Sequence, residues 1–197
     1  KMMESVDYAG LRKEQAAQRE QFKRGETREI MGLGVSFFTE IVGAGPSKNG
    51  DMLGIAMFDS CEIRLHPTGA GIARVGSKSQ GQGHETTWAQ IIATEIGIPA
   101  DDIMVEEGNT DTAPYGLGTY GSRSTPVAGA AIAMAARKIK AKAQMIAAYK
   151  LEVHEDDLEW DIDGFRVKGL PEKTMSMKDI CWAAYNSVPP GMEPGLE

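Results

Sequence analysis

Two stretches of the sequence place small and polar residues in patterns suited to holding an anionic ligand. The first, SQGQGHETTWAQIIATEIG at residues 79–97, puts Gly81 and Gly83 directly before an apolar pattern with helical spacing. Glycine lacks a Cβ atom, so its backbone can adopt positive φ angles and bring its N–H group close to a ligand. The N-terminus of the following helix adds unpaired N–H groups and a positive dipole end. This stretch therefore predicts a turn that cradles a phosphate or another electron-rich group.

Polar side chains of the same stretch extend its chemistry. Gln80 and Gln82 each carry an amide that donates and accepts hydrogen bonds, and His84 can donate at the start of the helix. Together with Gly81 and Gly83 they are the first set of candidate ligand-binding residues. The alternative is an ordinary strand-to-helix turn without a ligand, because short glycine patterns recur by chance.

A second glycine-rich stretch, GLGTYGSRST at residues 116–125, precedes another predicted helix. Its Arg123 carries a planar guanidinium, which is the group best suited to grip a phosphate with two hydrogen bonds. The candidate residues of this stretch are Thr119, Tyr120, Gly121, Ser122, Arg123 and Ser124. Two such loops in one small domain favour a shared phosphate-bearing ligand. For Arg123 the alternative is a structural ion pair with a carboxylate of the acidic stretch 101–111.

Two familiar nucleotide-binding motifs fail on their context. The second stretch matches GxGxxG, but it follows no predicted strand and no acidic residue comes after it before Glu152, which excludes a Rossmann dinucleotide site. GIARVGSK at residues 71–78 places a serine between the glycine and the lysine that a P-loop needs side by side.

A zinc-protease motif fails as well. His84-Glu85 and His154-Glu155 begin the pattern HExxH, but Trp88 and Leu158 stand where the second histidine is required. Neither a metal ligand nor a catalytic residue is predicted in this chain.

The elements that must position these loops follow from periodicity and turn signals. In chain order the first elements are an exposed helix at 4–23, a strand at 29–42, a loop at 43–51, and strands at 61–65 and 71–75 paired through HPTGAG. The helix after the first glycine-rich turn has its pattern at residues 88, 91, 92, 95 and 96 and is closed by Gly97, and a strand at 102–106 follows. The remaining elements are a helix at 126–151 with Thr125 as N-cap and Pro126 at its first position, a hairpin within 158–169 with Asp163 and Gly164 in the turn, and a helix at 176–185 capped by Ser176. Mixed strands and helices of this kind predict an α+β domain, with a two-layer mixed sheet covered by helices. We expect a helical arm at residues 1–28 and one α+β domain at residues 29–197.

Composition excludes several classes of protein. A chain of 197 residues with 42% hydrophobic residues can form a real core, and its net charge of −7 argues against a nucleic-acid partner. Cys61 and Cys181 are too few for a disulfide scaffold, which fits a reducing compartment. No signal peptide and no transmembrane segment are expected, so the predicted location is the cytoplasm.

Four segments carry a resemblance to a known family. FTEIVGAGPSKN, SKSQGQGHETT, EEGNTDTAPYGLGTYGSRST and LEWDIDGFRVKGLPEK resemble the large, molybdenum-binding subunit of aerobic carbon monoxide dehydrogenase, within the xanthine oxidase and aldehyde oxidase family. The similarity extends over nearly the whole chain. It implies a domain of the molybdenum cofactor-binding type, in which glycine-rich loops hold molybdopterin cytosine dinucleotide. By position, residues 80–84 and 119–124 resemble the family's cofactor-binding segments.

The resemblance also implies partners and an activity. In this family the complex oxidises carbon monoxide with water to carbon dioxide and passes electrons through iron–sulfur and flavin subunits, commonly as a dimer of heterotrimers. The copper-linking cysteine of the family lies in a loop like AYRCSFR, and neither Cys61 nor Cys181 has that context. The catalytic glutamate segment of the family, GVGE, has no counterpart either. The resemblance therefore implies an internal fragment that needs the remainder of the large subunit, and the alternative is a structural or subunit-interface domain of a related molybdenum hydroxylase with another substrate.

Overall fold

A computed structural model describes residues 1–40, 42–46 and 54–197. The chain divides into two compact units, Lys1–Glu40 and Ile41–Glu197. The loop predicted at 43–51 is described only over residues 43–46, which lack regular secondary structure, and its remainder lies outside the described residues. Within the described residues, no helix is long and apolar enough to cross a membrane.

The first unit is built on the predicted exposed helix, which the structure confirms with one interruption. Helix α1 (Met2–Ser5) stops before α2 (Tyr8–Lys23). Asp7 lies between them with φ 44°, and its carboxylate accepts a hydrogen bond from the N–H of Gly10, which caps α2. Helix α2 therefore starts directly after Asp7, whose backbone is in the left-handed region.

The prediction of a strand at 29–42 is wrong for the residues that the structure describes. Residues 29–40 and 42 have no regular secondary structure. A strand needs a neighbouring backbone to pair with. Met31 instead bonds to side chains of α2: its carbonyl accepts from Gln15 Nε2 at 2.9 Å, and its N–H donates to Gln18 Oε1. Phe37 and Phe38, which favoured a strand, are almost fully exposed.

The second unit begins with a mixed three-stranded sheet in the order β1-β2-β3. Strands β1 (Cys61–Leu65) and β2 (Gly71–Val75) pair antiparallel through the predicted turn. Helix α3 (His84–Ile96) ends at Gly97 with φ 70° and leads to β3 (Ile103–Glu107), which pairs parallel to β2. These predictions are confirmed: α3 follows the glycine-rich turn and ends at Gly97 as expected, and β3 is shifted by one residue.

A second, antiparallel sheet in the order β4-β5-β6 follows the long helix. It contains β4 (Leu158–Asp161), β5 (Gly164–Val167) and β6 (Leu170–Ser176), and the last of these has no counterpart in the prediction. Asp161 pairs with Gly164, so the hairpin turn is Ile162-Asp163 and the predicted pair is one residue too late. Helix α5 (Met177–Asn186) starts as predicted, with Ser176 Oγ accepting from the N–H of Asp179.

Helix α4 (Gly129–Leu151) forms the core with both sheets. Its buried face carries Ile132, Ile139 and Ile146 beside several alanines, which allow close packing against Trp88 and Ile92 of α3. The α+β class is confirmed, with helices covering two small sheets where the sequence predicted one mixed sheet.

Candidate functional site

The first loop, residues 76–83, connects β2 to α3. Gly81 has φ 111° and Gly83, the residue before the helix, has φ 75°. A Cβ atom built on either glycine would meet no atom of the described residues within 4 Å, so both face open space. The first N–H groups of α3 have no acceptor within the helix. The expected positive φ angles at this turn are therefore present.

Glu107, at the end of β3, organises the first loop from inside the protein. Its side chain is only 1% exposed. Oε2 accepts from the N–H of Ser79 at 2.8 Å, and Oε1 accepts from Trp88 Nε1 at 2.6 Å and Ser77 Oγ at 3.2 Å. His84 Nδ1 lies 3.1 Å from Oε1. The sequence analysis missed Glu107, although its position at the end of a strand parallel to β2 places it beside the loop that leaves β2.

The second loop, residues 116–123, ends where the long helix begins. Gly118 and Gly121 have φ angles of 87° and 55°, and Ser122 also lies in the left-handed region at 52°. A single π-helical turn, Ser124–Ala128, precedes α4. Thr125 is therefore not the N-cap: the backbone becomes helical at Ser124, and Arg123 is the capping position.

Arg123 is fully buried and its guanidinium is engaged within the protein. Nη1 contacts both carboxylate oxygens of Asp59 at 3.0 and 2.9 Å and donates to the carbonyl of Gly118. Nε and Nη2 donate to the carbonyls of Ala44 and Met57. The partner is thus Asp59 and not a carboxylate of the stretch 101–111. This geometry makes Arg123 a residue that holds the second loop in shape.

Asp59 is the second buried carboxylate that sequence reasoning missed. Besides its ion pair with Arg123, its Oδ1 accepts from the N–H of Leu117 at 2.9 Å. Asp59 therefore bonds to the second loop at its beginning and at its end. The only local signal was an acidic residue just before β1, and such a residue is ordinarily solvated.

The two loops touch along their length. A Cβ atom on Gly76 would lie 2.4 Å from the Tyr115 carbonyl oxygen, and one on Gly116 would lie 2.3 Å from the Gly76 carbonyl oxygen. Thr119 Oγ1 donates to the carbonyl of Lys78 at 2.7 Å. The close approach of these backbones requires glycine at both contact positions.

A cavity of about 340 Å³ opens between the loops. Its lining residues are Gln80, Gln82, His84, Thr87, Thr119, Tyr120, Ser122, Arg123, Ser124 and Thr125. Most of the predicted site residues are thereby brought to one place. The remaining ones, Gly81, Gly83 and Gly121, lie within the same loops without lining the cavity.

A larger cavity of about 430 Å³ lies between β1 and α4. It includes neither loop. Its wall combines Cys61 and Ile63 with exposed charged side chains, among them Arg64 and Lys138. The smaller cavity is the better candidate, because backbone N–H groups, amides and hydroxyls converge there.

The two cysteines lie outside the candidate site. Burial raises the pKa of the Cys61 thiol to about 12 and that of Cys181 to about 11. Both are therefore neutral thiols at physiological pH, and a neutral thiol is a poor nucleophile and metal ligand. Across the described residues, no group of three or more His, Cys, Asp or Glu side chains is arranged to hold a metal ion.

The donors of the candidate site fit a phosphate-bearing cofactor. The cavity is lined by side-chain amides and hydroxyls, and the start of α3 adds N–H groups and a favourable dipole. Open space at Gly81, Gly83 and Gly118 leaves room for a bulky ligand near the backbone. In the part of the chain that the structure describes, no carboxylate lines the cavity to repel an anion.

Fold and site agree with a sequence family. The chain belongs to the molybdopterin cofactor-binding domain family, which matches residues 1–197. It is 78% identical over 197 residues to the carbon monoxide dehydrogenase large chain of Afipia carboxidovorans, covering 100% of this chain and 24% of that protein. The crystal structure of a Cu,Mo-CO dehydrogenase in its carbon monoxide reduced state is 77% identical with a TM-score of 0.77, covering 99% of this chain and 24% of that one.

A more distant relative shows how far the family extends. The nicotine 6-hydroxylase large subunit of Paenarthrobacter nicotinovorans is 38% identical over 200 residues, covering 98% of this chain and 24% of that protein. The chain thus spans 24% of the length of each of these relatives. It is a molybdenum-cofactor-binding domain similar to part of their large subunits.

Proposed function

We propose that this chain is the part of a carbon monoxide dehydrogenase large subunit that holds molybdopterin cytosine dinucleotide between its two glycine-rich loops. The observation that carries the proposal is the convergence of both loops on one polar cavity. The 78% identity to a carbon monoxide dehydrogenase large chain supports the choice of enzyme. The division into an arm at 1–28 and a cofactor domain at 29–197 remains a prediction.

The residues of the two loops take different parts in this proposal. Backbone N–H groups at the start of α3 and the amides of Gln80 and Gln82 bind the electron-rich groups of the cofactor. From the second loop the Ser122 hydroxyl contributes a donor to the cavity. The protons of Thr119 and Ser124 are directed to the Lys78 carbonyl and to Thr119 Oγ1, so these two residues contribute acceptor oxygens. Gly81, Gly83 and Gly121 supply the backbone shape, His84 and Tyr120 line the site, and Arg123 holds the second loop.

When bound, the cofactor supplies the molybdenum at which carbon monoxide and water are converted to carbon dioxide, two protons and two electrons. This chain contributes binding and orientation to that reaction. Neither Cys61 nor Cys181 is proposed as a copper ligand, so copper is expected on the remainder of the large subunit. The proposal includes electron transfer to iron–sulfur and flavin subunits, assembly as a dimer of heterotrimers and a cytoplasmic location.

The proposal is tested on the complete large subunit purified with its partner subunits. We expect molybdenum, copper and a cytidine nucleotide in the protein, and reduction of an artificial electron acceptor that depends on carbon monoxide. A protein that holds molybdenum but oxidises nicotine or quinoline instead of carbon monoxide would assign the chain to another hydroxylase. Absence of both molybdenum and nucleotide would contradict the cofactor site itself.

A further inference from the structure

We propose that Glu107 is the positioning residue of the cofactor site, fixing the first loop in the conformation that binds the cofactor. The inference rests on the proposed function of the two loops. Among the described residues, the hydrogen-bond partners of Glu107 include none from the second loop, and Glu107 is not among the residues that line the cavity. Its effect on the cofactor must therefore pass through the first loop.

The two carboxylate oxygens of Glu107 hold different parts of the molecule. Oε2 receives the backbone N–H of Ser79, which is the residue that leads into Gln80. Oε1 receives the indole N–H of Trp88, a fully buried residue of the core, together with Ser77 Oγ and His84 Nδ1. The side chain therefore ties the loop backbone to the rigid interior of the protein.

The loop needs such a tie because of its composition. Gly81 and Gly83 have many accessible backbone conformations, and a site that orders them only on binding loses affinity. A fixed Ser79 N–H at one end and a fixed His84 at the other leave few conformations for the residues between them. The glycines then keep the positive φ angles observed at this turn.

Only a carboxylate suits this position. The groups around it, Ser77 Oγ, Ser79 N–H and Trp88 Nε1–H, are donors, and a carboxylate is an acceptor at both oxygens. In the variant Glu107→Gln, the amide oxygen can replace Oε1, but its NH₂ group then faces the N–H of Ser79. Two donors cannot bond, so this substitution releases the loop backbone while it conserves size and shape.

The experiment compares cofactor release from the complete enzyme carrying Glu107→Gln with release from the wild type. The purified holoenzyme is incubated, and molybdenum and cytidine nucleotide in the filtrate are measured over time and normalised to folded protein. We expect roughly tenfold faster release, because one lost hydrogen bond to a charged acceptor changes an equilibrium constant by about that factor. Release at the wild-type rate from folded Glu107→Gln would overturn the proposal.

Two matched controls separate positioning from general stability. Glu106→Gln removes the neighbouring carboxylate, which pairs with Arg74 in a half-exposed position. Ile146→Val removes one methylene from the core at a buried position of α4 and lowers the melting temperature without touching the loops. Both should release cofactor at the wild-type rate. If Ile146→Val accelerated release as much as Glu107→Gln, the effect would be one of stability and the proposal would be wrong.

A milder variant keeps the test decisive if Glu107→Gln does not fold. Trp88→Phe removes one donor to Oε1 and keeps an aromatic ring at this position, so release should accelerate in the same direction, by roughly two- to threefold. Release at the wild-type rate from this variant would overturn the proposal. The wild type reports separately on the proposed function: if it contains no molybdenum and no nucleotide, the cofactor assignment fails.

Discussion

The two loops of the candidate site reach similar shapes through different chemistry. In the second loop a buried carboxylate, Asp59, is paired with a buried guanidinium, Arg123, and both side chains are fully shielded from solvent. In the first loop the buried carboxylate of Glu107 is surrounded by a backbone N–H, an indole, a hydroxyl and an imidazole. One loop is held by a charge pair and the other by several hydrogen bonds to the two oxygens of one carboxylate.

This difference determines what each loop has left for a ligand. The guanidinium of Arg123 is used up by Asp59 and three backbone carbonyls, so the second loop presents hydroxyls. The side chains of Gln80 and Gln82 remain exposed in the first loop, close to the N-terminus of α3. Arginine is the residue type best suited to bind phosphate, but Arg123 has a structural role here. Glutamine, serine and threonine side chains line the cavity and are left to contact a ligand.

The largest effect should come from breaking the charge pair. Asp59→Ala leaves the guanidinium of Arg123 buried without a counter-charge, which costs about 3–5 kcal/mol of unfolding free energy. Urea denaturation of this chain measures the loss. The double variant Asp59→Leu with Arg123→Met should regain most of it, because no unpaired charge remains. A single variant within about 1 kcal/mol of the wild type would show that the pair does not hold the second loop.

The contact between the loops should be the next most sensitive. In Gly76→Ala the new methyl group would lie 2.4 Å from the Tyr115 carbonyl oxygen, so the backbones must separate. Overpacking of this kind costs about 1–3 kcal/mol, measured as a lower urea midpoint. Gly32→Ala is the control, because a Cβ atom there meets no described atom within 4 Å. Equal midpoints for the two variants would contradict the close contact.

A smaller effect is expected from the hydrogen bond that links the loops. Thr119→Val removes the Oγ1 that donates to Lys78 and accepts from Ser124 Oγ at 3.2 Å. The expected loss is about 1 kcal/mol, read from the same denaturation curves. Thr94→Val removes a comparable bond to the Gln90 carbonyl inside α3 and should change stability less. A larger loss of stability in Thr94→Val than in Thr119→Val would show that the hydrogen bond between the two loops contributes little.

The smallest effect should come from an ion pair outside both loops. Arg137 contacts Glu95 through two nitrogens at 3.0 and 2.7 Å, but Arg137 is exposed. The hydrogen bond from Arg137 lowers the pKa of Glu95 below its ordinary value. The ion pair therefore stabilises the protein fully above the pKa that Glu95 has in the unfolded chain, and this stabilisation disappears as the pH falls through the pKa that Glu95 has in the folded protein.

Solvent screens this exposed pair, so Glu95→Gln should leave the urea midpoint at pH 7 nearly unchanged. Any difference from the wild type should shrink as the pH falls through the lowered pKa of Glu95 and vanish below it. A loss at pH 7 as large as that of Asp59→Ala would mean that burial does not distinguish the two arginine pairs.

Local signals were enough for several elements. The alternation in CEIRL predicted β1 at its observed bounds, and Gly97 marked the end of α3. Ser176 capped α5 as expected from its side-chain oxygen. Each of these depends on residues that are neighbours along the chain, and this is the information that a sequence displays directly.

Other elements depended on partners that are distant or missing. Residues 29–40 have strand-like composition, but Met31 bonds to glutamine side chains of α2, and no ladder forms over these described residues. Strand β6 has polar residues and exists because β5 offers its free edge. The helix after the second loop begins with a π-helical turn at Ser124, where the cap signal of Thr125 is overridden.

The sequence by itself determined where the backbone is free to take left-handed angles and where α5 begins, because both depend on the local chemistry of glycine and of helix ends. Only the tertiary structure decided which carboxylates support those loops. Glu107 lies 28 residues from Ser79 and Asp59 lies 64 residues from Arg123. Folding alone brings such pairs together, and burial then makes each pairing obligatory, since a donor or charge without a partner is costly away from water.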